Sequence, residues 1–266
     1  MLESFILGII QGITEWLPVS SEGVVATVAI IFWDATPVDA IALSLWLHLG
    51  TSLAALIYFR KNIASILVRV AQSPTNFEGD IRFLILATSI SILLGVPLLI
   101  LGNDILAANQ TETGLKIFGS AVGVAMVITG LFLLSRKSNG HRAKHQLNFL
   151  DSLITGVAQG IAAIPGISRS GMTVSALLAR GVDKKEALTL SFLMGIPVTA
   201  GAGIYAGIAN EFYWSLESVI ALGTSLITGL VTIKILLNIA DKINFGMFVI
   251  SVGFLLVVNA LLLGPS

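Results

Sequence analysis

Two short polar clusters interrupt apolar sequence and contain most of the side chains that could do chemistry. In the second cluster, PGISRSG at 165–171, a Pro-Gly pair would end one helix and hydroxyl residues would begin the next. Free amides at a helix N-terminus, nearby hydroxyls and the positive charge of Arg169 favour an anion. The guanidinium could instead be neutralised by a structural carboxylate such as Glu15. The residues predicted to bind phosphate or another oxyanion are Gly166, Ser168, Arg169, Ser170 and Thr173.

The first cluster, PVSSEG at 18–23, offers hydroxyl nucleophiles and acids. Ser21 is a candidate nucleophile, and Glu15 and Glu22 are candidate bases and candidate ligands of a divalent cation, Mg²⁺ or Ca²⁺. Ser20, a candidate substrate contact, could equally cap a helix, with Glu22 as an acid in its first turn. Glu15 lies late in an apolar stretch with no cap to make, so we expect a functional role for it.

Further polar side chains lie in apolar sequence outside these clusters. His48 is a candidate proton-transfer group, although a lone imidazole in such a segment could simply hydrogen-bond a neighbouring helix. Gln11 and Gln159 could each contact substrate or satisfy broken backbone, and the chemistry of an amide does not separate the two roles. The predicted catalytic set is therefore Glu15, Ser21, Glu22, His48 and Arg169.

The composition is that of a membrane protein. Of 266 residues, 55% are hydrophobic and 11% charged, and the mean hydropathy is +0.94. Soluble globular domains contain about 25% charged residues. Soluble enzymes, nucleic-acid binders and disordered chains are excluded on this basis, and the lack of cysteine excludes disulfides and thiol catalysis. We predict an all-α polytopic membrane protein.

Six apolar segments are long enough to cross a hydrocarbon core of roughly 30 Å. Two further apolar regions, 1–32 and 149–180, are each broken near the middle by one of the polar clusters. Irregular backbone at membrane depth is tolerated only where protein or a wet cavity surrounds it, so both regions are predicted to be re-entrant helical hairpins. The predicted spans are 40–59, 82–102, 115–135, 187–208, 217–238 and 245–263.

The basic residues fall almost entirely on one side of this arrangement, which predicts its orientation. The positive-inside rule places the basic loops in the cytoplasm and both termini outside, with a site open to the outer side of the plasma membrane. We interpret these charges as a topology signal without chemistry. One face receives only Lys116, and the other receives Arg60, Lys61, Arg69, Arg82, Arg136, Lys137, Arg142, Lys144, Arg180, Lys184, Lys185 and Lys242.

The chain also contains an internal repeat. Gln11-Gly12 aligns with Gln159-Gly160 at an offset of 148 residues, and Ser21 aligns with Ser168 at 147. Three spans separate the copies, so their topologies are opposite. We predict repeats over 1–140 and 149–266 in one membrane domain, with both broken helices facing a shared cavity near the bilayer midplane.

The motifs EWLPVSSEG (15–23) and PGISRSGMT (165–173) resemble those of the bacterial undecaprenyl-diphosphatase, or BacA, family. The likeness covers nearly the whole chain and extends to LHLGTSLAALIYFRK and LSFLMGIPVTAGA. It implies removal of the terminal phosphate of polyprenyl diphosphate carriers at the outer side of the membrane. By the same likeness, Glu15 is the second acid of the motif, Ser21 is the nucleophile or its helper, and the second motif binds phosphate.

Two positions depart from that family pattern. Gln11 stands where the family usually has an acid, and Val24 stands where it has histidine. Hydrolysis would then need another base, such as Glu15, Glu22 or His48, with a divalent cation bridging diphosphate oxygens. We therefore predict a polyprenyl-diphosphate phosphatase. The alternative is a non-hydrolytic carrier of a lipid phosphate or other anion that uses the same site. A homodimer is left open.

Overall fold

In the computed structural model, the regular secondary structure of the described part of the chain is all helical. That part is 1–73, 77, 79–108, 112–135, 141–164, 166–209, 215–239, 242 and 244–262. Pro165, Arg136 and Lys137 lie outside it. The helices are α1 (Leu2–Thr14), α2 (Ser21–Trp33), α3 (Pro37–Tyr58), α4 (Arg60–Gln72), α5 (Gly79–Ala108), α6 (Glu112–Leu134), α7 (Phe149–Ile161), α8 (Arg169–Ala179), α9 (Lys184–Ala209), α10 (Leu216–Ile239) and α11 (Phe245–Leu262), with a short 3₁₀ turn at Lys144–Gln146.

Both regions with a central polar cluster form pairs of short helices. In the first pair, α1 and α2 have 13 residues each, and in the second, α7 has 13 and α8 has 11. A helix of 13 residues is about 20 Å long, too short to cross a bilayer core. Each cluster therefore interrupts its apolar region within the protein, as the sequence predicts.

Four helices in the described residues are long and apolar enough to cross a membrane. They are α3, α9, α10 and residues 79–102 of α5. Large apolar side chains face outward, among them Leu93 at 77% and Ile208 at 84% exposure. An outer surface of this kind fits lipid, because water would not stabilise so much exposed hydrocarbon. The remaining two predicted spans coincide with α6 and α11.

Helix packing pairs each half of the chain with the other. α1 packs on α10 and α7 packs on α5, while α3 packs on α9 and α6 packs on α11. The small residues Gly8 and Gly12 allow the close approach of α1 to α10, since an added Cβ would overlap Thr224 and Thr228. The main apolar cluster includes Trp16, which packs edge-on against Phe192. The break after α1 is therefore anchored in the core.

Several basic residues interpreted as a topology signal have specific partners. Arg142 and Arg180 both bind the fully buried Asp151 carboxylate, at 2.8 and 2.6 Å. The hydrogen bonds that Arg142 donates to the Asp151 carboxylate raise the pKa of the guanidinium above its ordinary value. Arg69, on the unpredicted helix α4, binds Asp80 at 2.9 Å. These charges thus also fix α4 and the base of the second helix pair.

Candidate active site

The two interrupted regions contact each other at their breaks. The Ser168 hydroxyl donates to the Val19 carbonyl at 3.0 Å, and the Ser170 hydroxyl donates to the Leu17 carbonyl at 2.6 Å. Backbone carbonyls at a break have no helical partner and need one when buried. The second break therefore satisfies the backbone of the first and fixes its position.

Both half-helices after the breaks begin with a serine cap. The Ser20 hydroxyl accepts from the Gly23 amide and the Ser168 hydroxyl from the Gly171 amide, each at 3.1 Å. The capping interpretation of Ser20 is thus confirmed. The two capping serines, Ser20 and Ser168, are 148 residues apart. The sequence alignment instead paired Ser21 with Ser168, so the correspondence in the structure is shifted by one residue.

Because α2 and α8 begin directly after these caps, Ser21 and Arg169 are their first residues, and both side chains reach Glu15. The Ser21 hydroxyl donates to Glu15 Oε2 at 2.7 Å, and Arg169 Nη2 binds Glu15 Oε1. Glu15 is 4% exposed, and Gln11 donates a further bond to its Oε2 at 3.0 Å. Glu15 thus joins a hydroxyl, an amide and a guanidinium in one buried cluster.

The His48 imidazole from α3 completes this cluster. Its Nε2 atom lies 3.2 Å from Glu15 Oε2, and its Nδ1 atom lies 2.7 Å from the carbonyl of Ser44. His48 therefore contacts the predicted acid as well as its own helix. The simple interpretation, a lone imidazole that bonds only a neighbouring helix, leaves out this contact with Glu15.

The pairing of Arg169 with Glu15, considered from the sequence as a structural alternative, is present. This pair uses only some of the hydrogen-bond donors of the guanidinium, which has five N–H groups. The observed bonds go to Glu15 and, at 3.3 Å, to the Ser191 carbonyl. Arg169 also lines the cavity described below. The pair holds the arginine in place while leaving donors for an anion.

A cavity of about 270 Å³ lies beside the cluster. Its polar end is formed by the side chains that the sequence singled out, and its walls are apolar residues of α5 and α9, such as Val96 and Ala202. Such a cavity suits a ligand with an anionic head and a hydrocarbon tail. The predicted site residues that line it are Glu15, Ser20, Ser21, Glu22, His48, Arg169 and Ser170.

Four predicted contacts do not line this cavity. Ser168 and Thr173 are fully buried, and the Thr173 hydroxyl bonds the backbone of α8 and Ser191. Gly166, with φ +93°, lies against the Val122 backbone, where a side chain would not fit. Gln11 is also fully buried and orients Glu15. These residues lie outside the cavity lining and hold neighbouring parts of the site in position. Direct contact of these residues with phosphate remains a prediction.

The carboxylates differ in how they could hold a cation. Both Glu15 oxygens accept bonds from protein donors, whereas Glu22 Oε1 is buried and has no hydrogen-bond partner. No three acidic or histidine side chains within the described ranges are grouped as a complete metal site. Mg²⁺ is often held by one or two carboxylates together with substrate phosphates. Glu22 could bind a cation in that way, whereas Glu15 could do so only with the lone pairs that its protein hydrogen bonds leave.

Gly195 and Ser91 belong to this region although the sequence analysis did not select them, together with Gln159, which it considered as a substrate contact. A Cβ at Gly195 would overlap the Arg169 guanidinium, so glycine there leaves room for the arginine. Gln159 Nε2 donates to the Ser91 hydroxyl at 3.0 Å on the cavity wall. The repeat of Gln11 at Gln159 is the one signal that could have pointed to this pair.

Fold and site together define a polytopic helical membrane protein with a buried carboxylate, hydroxyl and guanidinium beside an apolar cavity. Comparison with known proteins gives the family. The family described as bacitracin resistance protein BacA matches residues 4–258, and the chain belongs to it.

Curated relatives agree with this assignment. A protein of Methanococcoides burtonii named undecaprenyl-diphosphatase is 40% identical, with 98% of each chain covered. Proteins of the same name from Methanothrix thermoacetophila and Haloarcula marismortui are 35% and 34% identical. The alignments cover 96% and 98% of this chain and 94% and 98% of those relatives.

Proposed function

We propose that this protein hydrolyses polyprenyl diphosphate of the undecaprenyl type to the monophosphate and inorganic phosphate, recycling a lipid carrier of glycans. The observation that carries the proposal is the Glu15 carboxylate, which binds the Ser21 hydroxyl and the Arg169 guanidinium at the head of an apolar cavity. The name of its relatives, undecaprenyl-diphosphatase, states the same reaction for those proteins.

In this mechanism Arg169 binds the terminal phosphate and Ser21 attacks it. The Ser21 Oγ–P bond forms as the bridging P–O bond breaks, the polyprenyl monophosphate leaves, and the hydroxyl proton passes to Glu15 Oε2. Water then attacks the phosphoserine, the Oγ–P bond breaks, and Ser21 regains a proton. The sum is one diphosphate and one water converted to monophosphate and inorganic phosphate.

The tail would lie along the apolar walls from α5 and α9. Outward-facing side chains on both helices, Val96 at 48% and Tyr205 at 41% exposure, border the cavity. A cavity bordered by lipid-facing residues allows a long prenyl chain to remain partly in the bilayer. The rate of hydrolysis would then depend little on the length of the prenol beyond its first units.

A divalent cation, Mg²⁺ or Ca²⁺, belongs to the proposal. Glu22, with its unpartnered buried oxygen, would hold it together with diphosphate oxygens. The cation would supply charge neutralisation for the phosphates. A contribution from Glu15 is less favourable because its oxygens already accept protein hydrogen bonds.

We further propose six spans and two re-entrant hairpins in inverted repeats, with both termini outside and the cavity open to the outer side of the plasma membrane. The exchange of partners, α1 with α10 and α7 with α5, supports the repeat. The same repeat favours the second candidate function, a carrier that binds lipid phosphate without cleaving it.

Phosphate release from a long-chain polyprenyl diphosphate by the purified protein in detergent, with and without Mg²⁺ or Ca²⁺, tests the proposal. We expect metal-stimulated release by the native chain and a loss of at least about 100-fold in Arg169→Ala, since charge-assisted phosphate contacts stabilise the transition state. Lipid binding that depends on Arg169 without any phosphate release would contradict the phosphatase and favour the carrier.

A further inference from the structure

The Oε2 atom of Glu15 contacts three side chains, one of which is the Gln11 amide that donates to it at 3.0 Å. Oε2 accepts the Ser21 hydroxyl at 2.7 Å and lies 3.2 Å from His48 Nε2. Oε1 faces Arg169 instead. A proton that leaves Ser21 for Oε2 is thus one short step from the imidazole.

The orientation of the imidazole determines which atom can receive that proton. Nδ1 faces the Ser44 carbonyl at 2.7 Å, which accepts only, so Nδ1 carries its hydrogen. Nε2 faces a carboxylate oxygen, so a favourable contact requires one more proton, on Nε2 or on Oε2. The 3.2 Å separation of the two atoms therefore allows them to share one proton when the pair receives it.

We propose that His48, acting through Glu15, holds the Ser21 proton while Ser21 is phosphorylated and returns it when the phosphoserine is hydrolysed. The inference rests on the proposed phosphatase activity and assigns the proton-transfer role that Val24 cannot fill. Before attack the pair lacks the extra proton; after attack it carries the proton from Ser21. On hydrolysis, water supplies the hydroxyl to phosphorus, its remaining proton neutralises the products, and Ser21 recovers its own from Oε2.

Other groups near the pair are less suited to this task. Arg169 does not give up its proton in proteins. Glu22 and Tyr205 also line the cavity, but neither has a hydrogen bond to Glu15 or Ser21, and α5 contributes no titratable side chain to its lining. Val24 packs against the apolar cluster around Trp16 and does not line the cavity.

His48→Gln separates proton transfer from positioning. The amide of glutamine can still donate to Glu15, but it cannot hold an additional proton at ordinary pH. We expect kcat to fall by about 10²- to 10⁴-fold, the usual contribution of a general acid–base group. Binding of a methylene-bridged, non-hydrolysable diphosphate lipid should change little, because Arg169 remains in place.

The pH dependence gives a readout that a structural role would not move. In the native chain, kcat/KM should fall as the pH decreases, because a Glu15–His48 pair that already carries a proton cannot accept one from Ser21. In His48→Gln this fall is lost, so the ratio of variant to native rate rises as pH decreases. The ionisation of the substrate is common to both proteins and cancels in the ratio.

The matched control is His141→Gln, the same substitution at an exposed residue away from the cavity, which should keep the native rate and profile. A ratio of rates for His48→Gln to the native chain that is the same at every pH measured, or a flat pH profile in the native chain, would overturn the inference. The second result needs no variant and holds even if His48→Gln fails to fold. Absence of any hydrolysis by the native chain would instead reject the phosphatase itself.

Discussion

At the scale of residues, two adjacent serines have different tasks. Ser21 donates to Glu15, whereas Ser20 caps α2 through the Gly23 amide. Their hydroxyls lie at the same break, and both residues line the cavity. The alanine variants of the two serines should therefore differ in activity and in stability, and this difference distinguishes the nucleophile from the capping residue.

We expect Ser21→Ala to abolish phosphate release while the melting temperature stays near that of the native chain. Ser20→Ala should cost about 1 kcal/mol of stability, because a helix loses its cap, and should retain measurable turnover. Thermal unfolding and phosphate release, measured on both variants in one detergent, check this. Full activity in Ser21→Ala would reject Ser21 as the nucleophile and point to attack by water.

At the scale of elements, α9 determines the position of the arginine on α8. The guanidinium of Arg169 lies over Gly195 and bonds the Ser191 carbonyl one turn earlier on the same helix. The lack of a side chain at Gly195 thus leaves the space that the Arg169 guanidinium occupies. The contribution of Gly195 to the reaction depends on how α8 and α9 pack and not on a contact made by the glycine's own atoms.

Gly195→Ala should reduce kcat/KM by about 10-fold or more, since the added methyl group displaces the guanidinium from Glu15 and from phosphate. The matched control is Gly223→Ala, where a Cβ on α10 meets no atom within 4 Å. Comparing the two variants in the phosphate-release assay checks this prediction. Equal rates in both would mean that Arg169 can shift without losing its function.

At the scale of the whole molecule, the direction of the helices in the bilayer decides where the cavity opens. Residues between α2 and α3 are expected outside and those between α8 and α9 inside. The absence of cysteine from the native sequence makes this directly measurable, because each introduced thiol is unique. Asp39 and Lys185 are exposed and lie near these two connections.

A membrane-impermeant maleimide applied to intact cells should label Asp39→Cys and leave Lys185→Cys unlabelled until the membrane is permeabilised. This outcome follows from the excess of Lys and Arg on the predicted cytoplasmic loops. Labelling in the reverse order would invert the topology and place the opening of the site on the cytoplasmic side.

The sequence by itself determined the class of the protein, its long apolar helices and the two breaks. These follow from local composition: apolar runs of bilayer length, and Pro, Gly and Ser where a helix cannot continue. The same information located Glu15, Ser21 and Arg169, because ionisable and hydroxyl groups in an apolar region need a reason to be there.

Only the tertiary structure decided which of these groups meet. The caps at Ser20 and Ser168 set the register that brings the first residues of α2 and α8 to one carboxylate. His48 reaches that carboxylate from a third helix, and Gly195 makes room from a fourth. Such contacts depend on packing between segments far apart in the chain, and the spacing of residues along a single segment does not contain them.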